Sequence, residues 1–314
     1  MPCRRKKAVI VHKAGNSSRR DHSRFRGAGR SRTIVVRRFE GKRLTTESPL
    51  GKTLAYPVAY APDLLFPIER SVTRHTLGIG DTLPFRGVDI WNAWDLTWLG
   101  SDGRPEVATA EIVVPADSTH IVESKSLKLY LGSLAMTHYD TAEHVAAVIA
   151  DDLETVLGAE ADVVLRGPGQ TDGRRTRRMP GECLDRIDAD CEVYEVDSGL
   201  LEISAGEIVR EDLYSNLLRS LCPVTGQPDL ASVLVSYAGP RIERESLLRY
   251  LVSYRLHADY HENCVERMFT DITERCRPEG LSIYARYQRR GGIDINPFRS
   301  DFEAPPKNLR LWRQ

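Results

Sequence analysis

The chain has 314 residues, with 44 Lys and Arg balanced by 44 Asp and Glu, and is long enough to bury a sizeable core as one large domain or two of ordinary size. Its longest early apolar run, residues 8–11, is far short of a signal-peptide core, and no stretch approaches the ~20 residues of a membrane span, so no secretory or membrane segment is expected. Six cysteines without regular spacing make no disulfide framework, which fits a reducing cytoplasm.

Charge is unevenly spread. The first fifty residues carry 15 Lys and Arg against three Asp and Glu, leaving the remainder acid-rich by 12 charges (29 basic, 41 acidic). Rich in Arg, Ser and Gly, with one apolar patch at 33–36, residues 1–48 read as a basic, disordered tail. Such a tail and the arginines at 174–178 could touch RNA, but acid-rich folded units repel a polyanion, so direct nucleic-acid binding is not expected. Residues 88–99 read as a strand, although Trp91, Trp94 and Trp98 are spaced three and four apart as on a helix. They are expected to pack rather than to bind a ligand.

From there one unit is written twice. An ungapped offset of 120 lays residues 111–166 on 231–286, so that Glu123-Ser-Lys-Ser-Leu-Lys-Leu-Tyr-Leu131 falls on Glu243-Arg-Glu-Ser-Leu-Leu-Arg-Tyr-Leu251. Val145 then meets Val265, Asp151 meets Asp271, Glu154 meets Glu274 and Arg166 meets Arg286, and the apolar register survives. Each copy reads as strand, helix, helix, strand; in the second these are 232–237, 243–257, 261–276 and 281–288. Further strands are expected in front, at 88–99 and 183–194, and a polar, glycine-rich linker at 167–178. The fold class is α+β: two modules, 49–170 and 181–314, each an antiparallel sheet with two helices packed on one face.

The copies have diverged into complementary halves. Where the second has Cys222 the first has Asp102, and where the second has His261-Glu262 the first has Thr141-Ala142. The first keeps Lys125 and Lys128, which the second lacks. One composite site is therefore expected where the modules, or two chains, meet.

The most informative stretch is Leu221-Cys-Pro-Val-Thr-Gly-Gln-Pro-Asp229. Leucines at 213, 217, 218 and 221 give residues 211–220 a helical pattern, after which two prolines and a glycine stiffen a loop carrying a thiol, Cys222, and a carboxyl, Asp229. Such a loop can hold a nucleophile and an acid against a substrate, while taken alone a cysteine after an apolar helix is more often packed than reactive.

Together, Glu123-Ser-Lys-Ser-Leu-Lys-Leu-Tyr, Cys222-Pro-Val-Thr-Gly-Gln-Pro-Asp, His261-Glu-Asn-Cys-Val-Glu-Arg and Tyr287-Gln-Arg-Arg-Gly-Gly-Ile-Asp-Ile-Asn-Pro resemble the long, two-module NADPH-dependent 7-cyano-7-deazaguanine reductases, the nitrile reductases of queuosine biosynthesis. The resemblance runs from about residue 50 to the C-terminus and implies tandem modules of the tunnelling fold. It implies that Cys222 adds to the nitrile as a thioimidate, that Asp229 moves the proton, and that two NADPH molecules carry the nitrile to the amine. It gives Glu262 and His261 to the 7-deazapurine, with Glu123, Ser124 and the backbone of Val122 completing the pocket. Ser124, Lys125, Arg290 and Gly291 are implied for the cofactor, with Arg289 and Lys128 as helpers; no Gly-x-Gly-x-x-Gly suggests a different dinucleotide domain. The family also implies a homodimer. A metal is not expected: His261 and Cys264 sit three apart, but Cys264 shares the apolar register of Met268 and no paired ligand motif accompanies it.

Overall fold

The structure, a computed structural model, describes residues 57–170 and 175–314. The basic tail of residues 1–48, the expected start of the first module and part of the linker lie outside these residues. Along the chain run β1 (Pro67–Glu69), α1 (Arg70–Thr76), β2 (Arg86–Leu99), β3 (Pro105–Pro115), β4 (His120–Val122), α2 (Ser124–Ser133), α3 (Ala142–Leu157) and β5 (Asp162–Arg166). Then come β6 (Glu182–Cys183), β7 (Ile203–Leu221), β8 (Pro228–Ile242), α4 (Arg244–Ser253), α5 (His261–Cys276), β9 (Gly280–Tyr287) and β10 (Ile293–Ser300). The chain is α+β, and eight strands form one sheet in the order β5-β3-β2-β10-β9-β8-β7-β6, antiparallel except at the two-residue β6.

The last strand joins the halves. β10 pairs with β9 on one side and with β2 on the other, Ile295 lying opposite Trp91. Alternation along β10 then divides its side chains between the two faces of the sheet. Ile293 and Ile295 join a core with Trp91, Leu96, Leu127, Tyr130, Val145 and Ile149 under α2 and α3. Phe298 joins Ile90, Leu234 and Tyr284 on the opposite face. A second core, under α4 and α5, is built from Leu213, Val233, Val235, Leu247, Tyr250, Val265, Met268 and Phe269.

Two expectations are corrected. Residues 211–220 are not a helix but the end of β7, and residues 183–194 contribute only Cys183 to a strand. The cause of the first error is a β-bulge. Register against β8 slips between Ser215 and Leu218, so the inward face passes from the odd-numbered Leu213 to the even-numbered Leu218, and with Leu217 and Leu221 the leucines fall at spacings of four and three that imitate a helix. Asp185 pins the bulge by accepting from the Ser215 hydroxyl (2.8 Å), the Asn216 backbone N–H (2.9 Å) and the Asn216 amide (2.7 Å). An equivalent slip between Ala93 and Leu96 in β2 explains the tryptophans: Trp91 and Trp98 are both buried although seven residues apart. Trp94 lies at that slip and donates its indole N–H to Asp294 (2.5 Å).

The ungapped offset also needs one change. α2 and α4 are each ten residues long and start at 124 and 244, in step with the offset of 120. α3 and α5 are each sixteen residues long but start at 142 and 261, an offset of 119. Tyr130 accordingly donates to Asp152 (2.5 Å) where Tyr250 donates to Asp271 (2.7 Å), so Asp152 rather than Asp151 is the counterpart of Asp271. By the same shift His261-Glu262 corresponds to Ala142-Glu143.

Candidate active site

Chain topology brings both halves to one cleft on the helix-bearing face. The first half contributes Val122 from β4 and Glu123, Ser124 and Lys128 from the start of α2. The second contributes Cys222 from the β7–β8 loop, Asp229 from β8, His261 and Glu262 from α5, and Arg290 from the β9–β10 turn. All these residues belong to a single chain. Lys125 and Gly291 are not among the lining residues, and Arg289 is exposed.

The loop that carries Cys222 is closed on itself. Gly226 N–H donates to the Cys222 carbonyl (2.9 Å), and Cys222 N–H donates to the Gln227 carbonyl (2.9 Å). Because Ser220 pairs with Asp229 in the ladder, this short hairpin returns Asp229 alongside the strand end that presents the thiol. Asp229 is 3% exposed and faces two nitrogen groups: it forms an ion pair with Arg290, and His261 Nε2 lies 3.4 Å from its second oxygen. Burial alone would raise this carboxyl, but His261 and Arg290 outweigh it and hold it below the ordinary carboxylate range. The His261 ring is itself fixed, stacked at 3.7 Å and 6° on Tyr287.

Glu262 differs from the other carboxylates. It is 2% exposed, and its Oε1 has no hydrogen-bond partner among the described residues. Burial, with Asp89 nearby, pushes its carboxyl up to about 8 against the opposing pull of Arg70 and Arg299. Glu123 is buried too, yet it caps α2, accepting from the backbone N–H of Lys125 (2.9 Å) and of Ser126 (2.7 Å). That leaves each oxygen a further lone pair toward the cleft.

The cationic rim is built on a tight turn. Arg290 N–H donates to Ile293 O (2.9 Å) and Ile293 N–H returns to Arg290 O (3.3 Å), with Gly291 and Gly292 at φ 58° and 84° between them. Two consecutive positive φ values suit a hairpin turn that glycine alone adopts freely. A Cβ at Gly291 would come 3.3 Å from Lys128 Cδ, so the turn and that lysine are in close contact. Burial, with Arg290 nearby, holds the Lys128 ammonium below the ordinary lysine range.

A family model described as nitrile reductase, 7-cyano-7-deazaguanine-reductase N-terminal region matches residues 56–165, and one described as QueF-like protein matches residues 228–306. Proteins named NADPH-dependent 7-cyano-7-deazaguanine reductase from Paraburkholderia phymatum and Paraburkholderia xenovorans are each 49% identical over 85% of this chain and 98% of their own length. One from Paraburkholderia phytofirmans is 50% identical over the same shares. The chain belongs to the NADPH-dependent 7-cyano-7-deazaguanine reductase family. A solved structure titled archaeosine synthase QueF-Like in the apo form covers 32% of this chain and 100% of its own at 18% identity, with a TM-score of 0.28, too slight a likeness to bear on the fold.

For a member of this reductase family the rim fits a dinucleotide: Lys128 and Arg290 supply cations, and a backbone turn without side chains lies beside them. Asp259, Tyr260, Gln288, Ile293 and Ile295 also line the cleft and escaped the reading of the sequence. Tyr260 was within reach of it, standing next to His261. Ile293 and Ile295 were not, because only the pairing of β10 with β2 carries them there. Cys264 is fully buried in the core beside Met268.

Proposed function

We propose that this chain reduces the nitrile of 7-cyano-7-deazaguanine to the primary amine of 7-aminomethyl-7-deazaguanine, with NADPH as reductant, in queuosine biosynthesis. The observation that carries the reading is the meeting in one cleft of a thiol, a carboxylate flanked by a guanidinium and an imidazole, and a buried carboxyl with an oxygen left unbonded. Glu262 accepts from the ring N–H and exocyclic NH₂ of the deazapurine, filling the lone pairs that the protein leaves open. His261, Glu123, Ser124 and the Val122 backbone bound the rest of the base.

Cys222 attacks the nitrile carbon: an S–C bond forms, one C–N π bond opens, and the thiol proton passes through Asp229 to the nitrogen, giving a thioimidate. No electron is exchanged in that step. Lys128, Arg290 and Gly291, with Ser124 and Lys125 at the start of α2, hold the dinucleotide. Bound NADPH supplies hydride, and a nitrile taken to an amine needs two, hence two cofactors per turnover.

We further read the α+β fold as two tandem tunnelling-fold modules. Support comes from the paired bulges in β2 and β7 and from the repeated Tyr–Asp bond joining the two helices of each half. A homodimer in a reducing cytoplasm accords with this reading, as do the five described cysteines, all free thiols. Among the described residues no helix is long and apolar enough to cross a membrane.

The test is NADPH oxidation with 7-cyano-7-deazaguanine, comparing the native chain with Cys222→Ala and quantifying the amine. Two NADPH consumed per amine, with turnover lost in the variant, is the expected result. A folded, reduced chain that oxidises no NADPH with this substrate would refute the assignment.

A further inference from the structure

Arg290 is held from two sides by the protein itself. One guanidinium nitrogen pairs with Asp229, and the other donates to the Gln227 side-chain oxygen at 2.6 Å. Gln227 is well placed for this because its backbone carbonyl is the acceptor that closes the Cys222 loop. The same few residues thus join the thiol, the proton-carrying carboxylate and the cationic rim. A phosphate at that rim would share the guanidinium with Asp229, and a cation shared between two anions stabilises each less than it does one alone.

We propose that Arg290 serves two anions in turn, the Asp229 carboxylate and a phosphate of the dinucleotide, and that Gln227 is the positioning residue that holds it at the first. This rests on the reading of the cleft as a nitrile reductase site. Cofactor binding thereby loosens the guanidinium's hold on Asp229 and makes it a better acceptor for the Cys222 proton. Thioimidate formation is coupled in this way to the presence of the cofactor that must follow it. The groups around Asp229 are few. His261 and Cys264 face it from α5, Tyr287 from β9, Lys128 from α2, Cys222 from the loop and Arg290 from the turn. Of these, Arg290 is a cation that a phosphate could draw away.

The step is measurable without turnover. Thioimidate formation needs only nitrile and thiol, so the adduct can be followed by intact mass on the full chain from the acid side of the ordinary carboxylate range up to neutral pH, with and without NADP⁺, which has no hydride to give. Asp229 works as a base here, so adduct formation rises with pH through its titration. Drawing Arg290 away moves that limb up by about one pH unit, the size of effect an adjacent cation has on a carboxylate. Gln227→Ala moves the limb part of the way with no dinucleotide present. By loosening Arg290 it also tightens NADP⁺ binding, measured by calorimetry, by about fivefold, the worth of one hydrogen bond to a charged group at a partly exposed site. A limb that stays fixed when calorimetry shows NADP⁺ bound, or NADP⁺ affinity that is unchanged or weaker in Gln227→Ala, overturns the proposal while leaving the reductase reading intact. No adduct with any form of the folded chain takes down both.

Discussion

Glu262 shows what a single side chain can reveal. Its buried carboxyl, pushed up to about 8, is largely protonated in the protein at neutral pH, whereas a guanine-like edge that donates twice needs the carboxylate. Substrate binding should therefore expel a proton, and affinity should weaken about tenfold for each pH unit below about 8, then level off above it. Calorimetry in buffers of different ionisation enthalpy reads the proton directly; a buffer-independent heat at pH 7 would rule the idea out. The sign for stability is the reverse. A carboxyl raised by folding favours its neutral form, so stability falls as pH climbs from the ordinary glutamate range toward about 8. Glu262→Gln should thus raise the thermal midpoint at alkaline pH while losing both the proton release and most of the affinity. Nothing in the residue string marks this shift, because it arises from Asp89, Arg70 and Arg299 on elements far away in sequence.

At the scale of elements, legibility depended on regular spacing. α5 was readable to its ends because its buried residues keep a helical period, and α2 and α4 were readable as uninterrupted ten-residue helices, although α4 ends at Ser253, short of the expected 257. β7 was not, since a bulge shifts the inward face by one residue and leaves leucines at spacings of four and three that mimic a helix. The device that makes the bulge stable, Asp185, lies in a segment misread as a strand. Asp185→Ala would leave the Ser215 hydroxyl, the Asn216 N–H and the Asn216 amide without their acceptor. It should cost about 2–3 kcal/mol, seen as a lower urea midpoint at unchanged m-value, with Asp185→Asn recovering part of the loss through its remaining oxygen. A midpoint equal to the native chain's would mean that the backbone holds the bulge unaided. The cleft itself was legible as four motifs, but its single-chain assembly was not: that follows from β10 pairing with β2.

Across the whole molecule, the two halves are joined by charge as well as by β10. Behind Glu262, Arg70 and Arg74 of α1, Asp89 of β2, Glu266 of α5 and Arg299 of β10 form one buried network. Arg299 donates to Asp89 (2.8 Å) and Glu266 (2.9 Å), Arg70 to Asp89 (2.6 Å), and Arg74 to both oxygens of Glu266 (2.8 and 2.9 Å). Three guanidiniums face two carboxylates, so the network carries one excess positive charge that Glu262 balances only when ionised. Burial alone would raise the Asp89 carboxyl, but Arg299 and Arg70 hold it below its ordinary range. Asp89→Asn should therefore do two separable things. Leaving two buried cations without their anion should cost about 3–5 kcal/mol, and because paired removal spares an orphaned charge, the double variant with Arg299→Met should lose less than the sum of the singles. At the same time Glu262 loses the carboxylate that opposes its ionisation and keeps the cations that favour it. The pH at which substrate affinity levels off should then move below about 8 in Asp89→Asn, even as the fold weakens. A variant that lost stability but kept the native pH dependence would show that the network only holds the halves together. A lowered midpoint for binding would show that the same buried charges also set the protonation of the residue that meets the purine.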